Sequence, residues 1–440
     1  MPEEAEWMLF SNISVLDENF ELQTQQWVGT KEGRIDYLSS RPPATQQAME
    51  YGELYEGSGK LLLAGFYNAH SHAPMTLLRG YAENLPLQTW LFDRVFPFEA
   101  RITAEDAYWA TTLAIAEMLR FGTVSFSDMY YYTRDCARAV VDSGMKCNIC
   151  DTLIAPDEKP YSSYPLAAAN EAYLREFHGA ANGRLLVDFN IHAEYTSHPT
   201  AVSGLAAAAK EAGVRIQLHA SETKSEHEEC KQRQGGLTPI QYFSSLGVFD
   251  VPVTAAHCVW IEGDDFDILA DSGATVACNP VSNMKLGSGF APVPQMIERG
   301  INVALGTDGC ASNNNLDMMQ DMYVMALVYK GSNLNPEAIT PYQALYSATR
   351  AGALSQGRDD CGMVRIGAKA DLAVIDTSGP HWSPATNLLS NVVFSGHGSD
   401  VCLTMVDGEV LYRDGLWPTL DVNRARTEVE RATERIISEL

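Results

Sequence analysis

His70 and His72 close the run G-F-Y-N-A-H-S-H, two residues apart. In an extended strand that spacing puts both imidazoles on one face, where they can share an ion. Other apolar runs also end in a ligand-type residue: F-N-I-H at His192, I-Q-L-H at His219, T-A-A-H at His257 and L-G-T-D at Asp308. Of the 10 histidines in the chain, five finish such runs. One histidine of this kind is ordinarily a hydrogen-bonded structural residue. Four imidazoles and a carboxylate at equivalent strand ends, His70, His72, His219, His257 and Asp308, are instead the donor set of a zinc or ferrous iron centre. A metal centre makes water nucleophilic at neutral pH, so the chemistry expected is hydrolysis.

Glu222 follows His219 by three, in H-A-S-E. Within a continuing strand the two would face opposite ways, so Glu222 is expected in the loop just past the strand. A carboxylate placed there can exchange protons with a substrate, and an apolar pocket would raise its pKa for the task. The competing reading is a loop glutamate in solvent.

Residues far apart in sequence converge in this way when they sit at the C-terminal ends of barrel strands. From about Phe66 to Gly352, short apolar strands such as T-V-S-F-S-D, V-R-I-Q-L-H and A-T-V-A-C-N alternate with helical patterns such as A-E-D-A-Y-W-A-T-T-L-A-I-A-E-M-L-R. Repeated βα units predict a parallel sheet, and about eight of them a closed (β/α)8 barrel of the TIM type. The first sixty residues read instead as short strands with turns, and the same texture returns in K-A-D-L-A-V-I-D and V-C-L-T-M-V-D-G-E-V-L-Y-R-D-G. The expected architecture is α/β: a hydrolase barrel at 66–352, and a small β-sandwich assembled from 1–65 and 353–440. The latter ends in an amphipathic helix from about Asn423.

The formal net charge of −25, from 31 basic and 56 acidic residues, repels nucleic acid and anionic membrane surfaces. It favours a neutral or cationic small-molecule substrate, and no Walker-type or Rossmann-type glycine loop offers a phosphate cradle. No apolar run reaches the ~20 residues needed to span a bilayer. The opening M-P-E-E-A-E is acidic where a secretory leader is basic, so a cytoplasmic protein is expected. The nine cysteines show no disulfide framework, and the one Cys-x-x-Cys, at Cys147 and Cys150, lies in a strand-like run that sends its thiols to opposite faces.

Six segments in order resemble the amidohydrolase superfamily, and within it the 5-methylthioadenosine/S-adenosylhomocysteine deaminases and their close relatives. They are G-F-Y-N-A-H-S-H-A-P-M-T-L-L-R-G from Gly65, L-P-L-Q-T-W-L from Leu85, H-A-S-E-T-K from His219, A-A-H-C-V from Ala255, S-N-M-K-L-G-S-G from Ser282 and L-G-T-D-G-C-A-S-N-N from Leu305. The resemblance implies that His70, His72, His219 and Asp308 hold one divalent metal, zinc first and iron second. It implies that His257 orients the attacking water, that Glu222 shuttles a proton to the purine ring, and that Asp308 accepts the water's proton. Trp90 corresponds to an aromatic pocket wall, Glu99 to a ribose-binding glutamate, and His192 to a substrate-contacting histidine. Binuclear relatives carry a carboxylated lysine on the fourth strand; here R-L-L-V-D-F-N-I-H has none, which implies one metal.

The implied activity is hydrolytic deamination of an adenine nucleoside to its inosine analogue, by a homo-oligomer. The alternative on the same metal site is deamination of a guanine-like, pterin or triazine ring, or dechlorination of a triazine. A ligand-binding scaffold without catalysis would have lost a metal ligand or Glu222, and none is lost. Two positions depart from the family. Asp151 stands where an arginine often meets a substrate carboxylate, which predicts poor use of S-adenosylhomocysteine and leaves adenosine, 5′-deoxyadenosine and 5′-methylthioadenosine open. Cys278 stands where a histidine is frequent and is expected to border the base pocket.

Overall fold

The computed structural model describes residues 7–440; the acidic opening M-P-E-E-A-E lies outside the described residues. Five strands come first: β1 (Met8–Leu16), β2 (Leu22–Lys31), β3 (Arg34–Ser39), β4 (Glu53–Glu56) and β5 (Lys60–Ala64). Nine further strands follow: β6 (Phe66–Ser71), β7 (Thr123–Tyr130), β8 (Lys146–Asp151), β9 (Leu185–Val187), β10 (Phe189–Ile191), β11 (Ile216–Ala220), β12 (Val253–His257), β13 (Thr275–Cys278) and β14 (Asn302–Leu305). The last three are β15 (Leu372–Asp376), β16 (Val401–Val406) and β17 (Glu409–Arg413), before the C-terminal helix Val422–Glu439.

The middle strands pair in parallel, as one sheet from β6 to β9 and another from β10 to β14. β9 and β10 are one strand interrupted at Asp188, so the two sheets run on as an eight-stranded barrel-like core. At the break the Asp188 amide still donates to the Ile149 carbonyl of β8 at 3.0 Å, and the buried carboxylate accepts from Asn148 Nδ2 at 3.0 Å and Gln217 Nε2 at 2.9 Å, tying the two sheets together. Closure comes where the Asp308 amide donates to the His70 carbonyl at 3.0 Å, beside the contact of β14 with β6. Small side chains at Ala69, Ala256, Ala277 and Ala304 pack together within the barrel.

The N- and C-terminal strands form one mixed sheet in the order β17-β16-β15-β5-β1-β2-β3, with β4 paired to β1. Residues from strands far apart in that order, such as Ile35, Phe10, Val374 and Leu403, share a single apolar core. The sheet therefore curls over itself, and its two-layered packing comes from one continuous sheet. It meets the barrel through buried charge: Lys146, at the start of β8, pairs with Asp371 and with Asp407 at 2.8 Å, and the Tyr67 hydroxyl donates to Asp371. That network lies at the N-terminal ends of the strands, the stability face of a barrel, and leaves the opposite end for chemistry.

Cys147 and Cys150 are both buried free thiols in β8. Among the described residues no helix is long and apolar enough to cross a membrane.

Candidate active site

The strand-end residues converge. His70 lies in β6 and His72 just beyond it, His219 lies in β11, His257 closes β12, and Asp308 follows β14. Asp308 Oδ1 stands 3.2 Å from His72 Nε2 and 3.6 Å from His70 Nε2, and the Nε2 atoms of His219 and His72 are 3.4 Å apart. Potential ligand atoms of His70, His72 and Asp308 all lie within 4.8 Å of one another, as do those of His70, His219 and His257. The approach is close because residue 306 is glycine: a Cβ there would meet Asn279 Oδ1 at 2.3 Å and His70 at 3.0 Å.

The donor chemistry fits a cation. His72 Nδ1 meets the Met129 carbonyl at 2.5 Å and His219 Nδ1 the His192 carbonyl at 2.9 Å. A carbonyl only accepts, so each Nδ1 carries the proton and each Nε2 presents a lone pair to the cluster. His70 Nε2 is buried without a hydrogen-bond partner among the described residues. Converging lone pairs beside a carboxylate repel one another unless a cation lies between them, and imidazole with carboxylate suits zinc. A divalent metal held by histidine and aspartate is thus the cofactor of this site. Asp308 is held from behind, its Oδ2 accepting from Ser282 Oγ at 2.6 Å and Ser312 Oγ at 3.0 Å.

The electrostatics follow from burial and mutual charge. Burial drives His70 and His219 well below the ordinary imidazole range, and His192 down to about 4 with help from His72. Without a cation, burial opposes a proton on His72 but the Asp308 carboxylate outweighs it and raises His72 to about 9, so an ion binding at Nε2 must displace that proton. Asp308 is correspondingly held well below the carboxylate range despite its burial. Burial pushes the Glu222 carboxyl up, against the pull of His257.

A cavity opens above the cluster. His72, His219, Glu222, His257 and Asp308 line it, together with Trp90, Glu99 and His192. Glu222 sits in the loop past β11, buried, with Oε2 3.9 Å from His257 Nε2 and Oε1 3.4 Å from Ser288 Oγ. His257 Nδ1 faces Asn283 Oδ1 at 2.8 Å, which leaves its Nε2 free toward the cavity. Trp90 ends the helix Leu87–Trp90; a π-helical turn at Leu91–Val95 then leads into the helix Phe96–Glu99. This cap leans Trp90, Leu91, Val95, Phe96 and Glu99 over the cavity. Glu99 is buried with Oε1 unpartnered among the described residues, and burial pushes it up to about 7.

Sequence reasoning missed part of the wall: Tyr130, Tyr131, Phe96, Thr152 and Leu286 also line the cavity. Tyr130 ends β7 and Thr152 follows β8, so the strand-end rule that found the histidines also reaches them. Asn283, Ser282 and Ser288 lie inside the S-N-M-K-L-G-S-G segment and act on His257, Asp308 and Glu222 from behind.

Two expectations need correction. Cys278 does not border the cavity; its thiol faces the Tyr329 hydroxyl at 3.2 Å, buried against the helix Met318–Ser332. Ala277 turns into the barrel, so its successor in the strand turns outward. Asp151 is likewise not among the residues lining the cavity: its carboxylate accepts from the Thr152 amide at 2.9 Å, and burial raises it to about 6. Its neighbours Thr152 and Tyr131 form the wall instead.

Residues 61–411 match the model of the amidohydrolase family. The chain is 41% identical over 396 residues to a 5-methylthioadenosine/S-adenosylhomocysteine deaminase of Desulforamulus reducens, covering 90% of each protein. It is 39% identical over 383 residues to a 5′-deoxyadenosine deaminase of Methanosarcina mazei, covering 87% of this chain and 88% of that protein. The crystal structure of an adenosine deaminase from Xanthomonas campestris with bound zinc superposes with a TM-score of 0.91 at 26% identity, covering 100% of both chains.

Proposed function

This chain belongs to the amidohydrolase family, and we propose that it deaminates an adenine nucleoside hydrolytically, giving ammonia and the inosine analogue. The observation that carries the reading is the placement of Glu222: a buried carboxyl, its pKa raised by burial, beside His257 and over the His–Asp cluster in one cavity. Held by His70, His72, His219 and Asp308, a divalent metal, zinc in this reading, supplies water activated at neutral pH.

The protein's own groups do the rest. Asp308 takes the proton that the attacking water loses, and His257, with Nδ1 committed to Asn283, accepts a hydrogen bond from that water at Nε2. Burial disfavours charge on Glu222, so its acid form passes a proton to N1 of the ring as C6 is attacked; Asp308 then gives the water's proton to the leaving amine, and Glu222 recovers the remaining hydroxyl proton as the C6 carbonyl forms and ammonia departs. Trp90 forms an aromatic wall, His192 contacts the nucleoside, and Glu99 takes the ribose hydroxyls. The cap Leu87–Glu99 limits water access.

The cavity also bears on the tail of the substrate. Among the described residues no lysine or arginine lines it, whereas the carboxylates of Glu99, Glu222 and Asp308 do. A substrate carboxylate finds no partner there, so adenosine, 5′-deoxyadenosine and 5′-methylthioadenosine are favoured and S-adenosylhomocysteine is disfavoured. The enzyme acts in this reading as a homo-oligomer in the cytoplasm, which light scattering and fractionation check.

An ammonia-release screen of those four nucleosides against guanine and a pterin tests the reading. Turnover of the uncharged adenine nucleosides is expected; a free base or pterin as the best substrate would refute it.

A further inference from the structure

The loop that carries Glu222 is short and strained. β11 stops at Ala220, Ser221 takes a left-handed φ of 50°, and the helix Lys224–Arg233 begins after its N-cap, Thr223. A non-glycine residue held there is strained and persists only where its surroundings over-determine it.

The group that does so is Glu226, fully inside the protein at the third position of that helix. Its Oε1 accepts from the Ser221 amide at 3.0 Å; its Oε2 accepts from the Glu222 amide at 2.7 Å and the Thr223 amide at 3.4 Å. Thr223 Oγ1 accepts in return from the Glu226 amide at 3.2 Å. The ring of the next residue, His227, meets Ser221 Oγ through Nδ1 at 3.2 Å, and the Ser221 carbonyl accepts from the Trp260 amide at 3.0 Å.

A capping box needs only the reciprocal pair between the N-cap and the third helical residue. The same chain shows that minimal form at Thr103 and Asp106, where an aspartate reaches the N-cap amide at 2.8 Å and starts the longer helix Ala104–Arg120. Glu226 goes further, because its extra methylene carries the carboxylate to two amides that precede the helix and belong to Ser221 and to Glu222 itself.

Resting on the reading of Glu222 as the proton carrier, we infer that Glu226 is a positioning residue: it clamps three consecutive amides, Ser221 to Thr223, and so fixes the Glu222 carboxyl over the cavity. It touches neither the substrate nor the cluster, and it acts through Glu222.

Glu226→Asp separates this role from helix capping. An aspartate still closes the capping box, as Asp106 does, but is one methylene too short for the Ser221 and Glu222 amides. With 5′-methylthioadenosine as substrate, kcat should fall about 10- to 100-fold from misplacement of the proton carrier, while KM changes little. Metal content and the unfolding midpoint should stay near those of the wild type. Glu226→Gln, isosteric but with an amine replacing one acceptor oxygen, should show the same split and carries the test if the aspartate variant does not fold. In a Glu222→Gln background either change should add no further loss, because the residue it positions is already disabled. Wild-type kcat in Glu226→Asp and Glu226→Gln, or losses that multiply with that of Glu222→Gln, would overturn the positioning role while leaving Glu222 as proton carrier. Undiminished turnover in Glu222→Gln alone would overturn both.

Discussion

Replacing Glu99 with glutamine should stabilise the protein and damage its use of ribosides at the same time. The Glu99 carboxyl is 8% exposed, has an oxygen without a partner among the described residues, and is pushed by burial from 4.5 to about 7. At 1.36 kcal/mol per pH unit, that shift makes the ionised form cost the fold about 3 kcal/mol. The folded chain binds the proton more tightly than the unfolded chain does between pH 4.5 and 7. Stability contributed by this group is therefore present below pH 4.5 and is lost as pH rises to 7. Glutamine has no such term. The stability gap between variant and wild type should grow from near zero at pH 4.5 to about 3 kcal/mol at pH 8, read from denaturant midpoints with a common m-value. On the activity side, a carboxylate accepting from ribose hydroxyls contributes about 1.5–3 kcal/mol, so kcat/KM for 5′-deoxyadenosine should fall roughly 10- to 150-fold. With 2′,3′-dideoxyadenosine, which has no hydroxyls for Glu99 to take, the substitution should be nearly silent. The wild-type kcat/KM for ribosides should rise with pH through about 7, as Glu99 ionises, and that limb should vanish in the variant. A stability gap that does not change with pH, or an equal loss on the dideoxy substrate, would refute the reasoning.

Metal analysis of protein purified without added ions should find about one zinc or iron per chain, with turnover lost on chelation; two tightly held ions would overturn the mononuclear assignment. Glu222→Gln should retain the metal yet lose roughly 10²–10⁴ in rate, and unchanged turnover would remove it from the mechanism. Cys278→Ala should lower stability by about 1–2 kcal/mol, through the lost packing against Tyr329, and leave the ranking of nucleoside substrates as it was. Asp151→Asn should likewise leave the ratio of kcat/KM for 5′-methylthioadenosine over S-adenosylhomocysteine unchanged, since its carboxylate is turned to Thr152; a marked change would put that side chain in the substrate's path.

The metal cluster was legible in the sequence because two signals coincide at each position. An apolar run marks a buried strand, and an imidazole or carboxylate at its end marks the one place in a barrel where such a group meets others. His70, His72, His219, His257 and Asp308 all satisfy both. Cys278 illustrates the reverse: neighbouring a motif says nothing about direction, and strand parity turns it outward after the inward Ala277. The partners of the buried Asp188 were hidden because they are Asn148 and Gln217, on two other strands. The cap was hidden as well: two four-residue helices joined by a π-helical turn have no periodicity to read, although Trp90 and Glu99 within it could be matched to a family pattern.

What no pattern of residue types could supply is the orientation of each ring, and here the backbone decides the chemistry. An imidazole can ligate through either nitrogen, and the free one is set by whatever the other must bond. The carbonyls of Met129 and His192 claim Nδ1 of His72 and His219, and Asn283 claims Nδ1 of His257, so all three present Nε2 to the same space. The chain accepts local strain to do this: His257, Cys258 and Asp308 hold left-handed backbones at φ 72°, 46° and 60°, and Ser221 does so before Glu222. These are the residues that end strands and turn a side chain back over the barrel mouth. Comparing glycine with alanine at Cys258, whose side chain is buried and lines no part of the cavity, separates the backbone contribution from the loss of the thiol. If strain at 258 is held in place by the site, the glycine variant should relax the β12 turn and lower kcat with the metal still bound. If kcat is unchanged, the left-handed turn is imposed by the barrel alone and owes nothing to the chemistry.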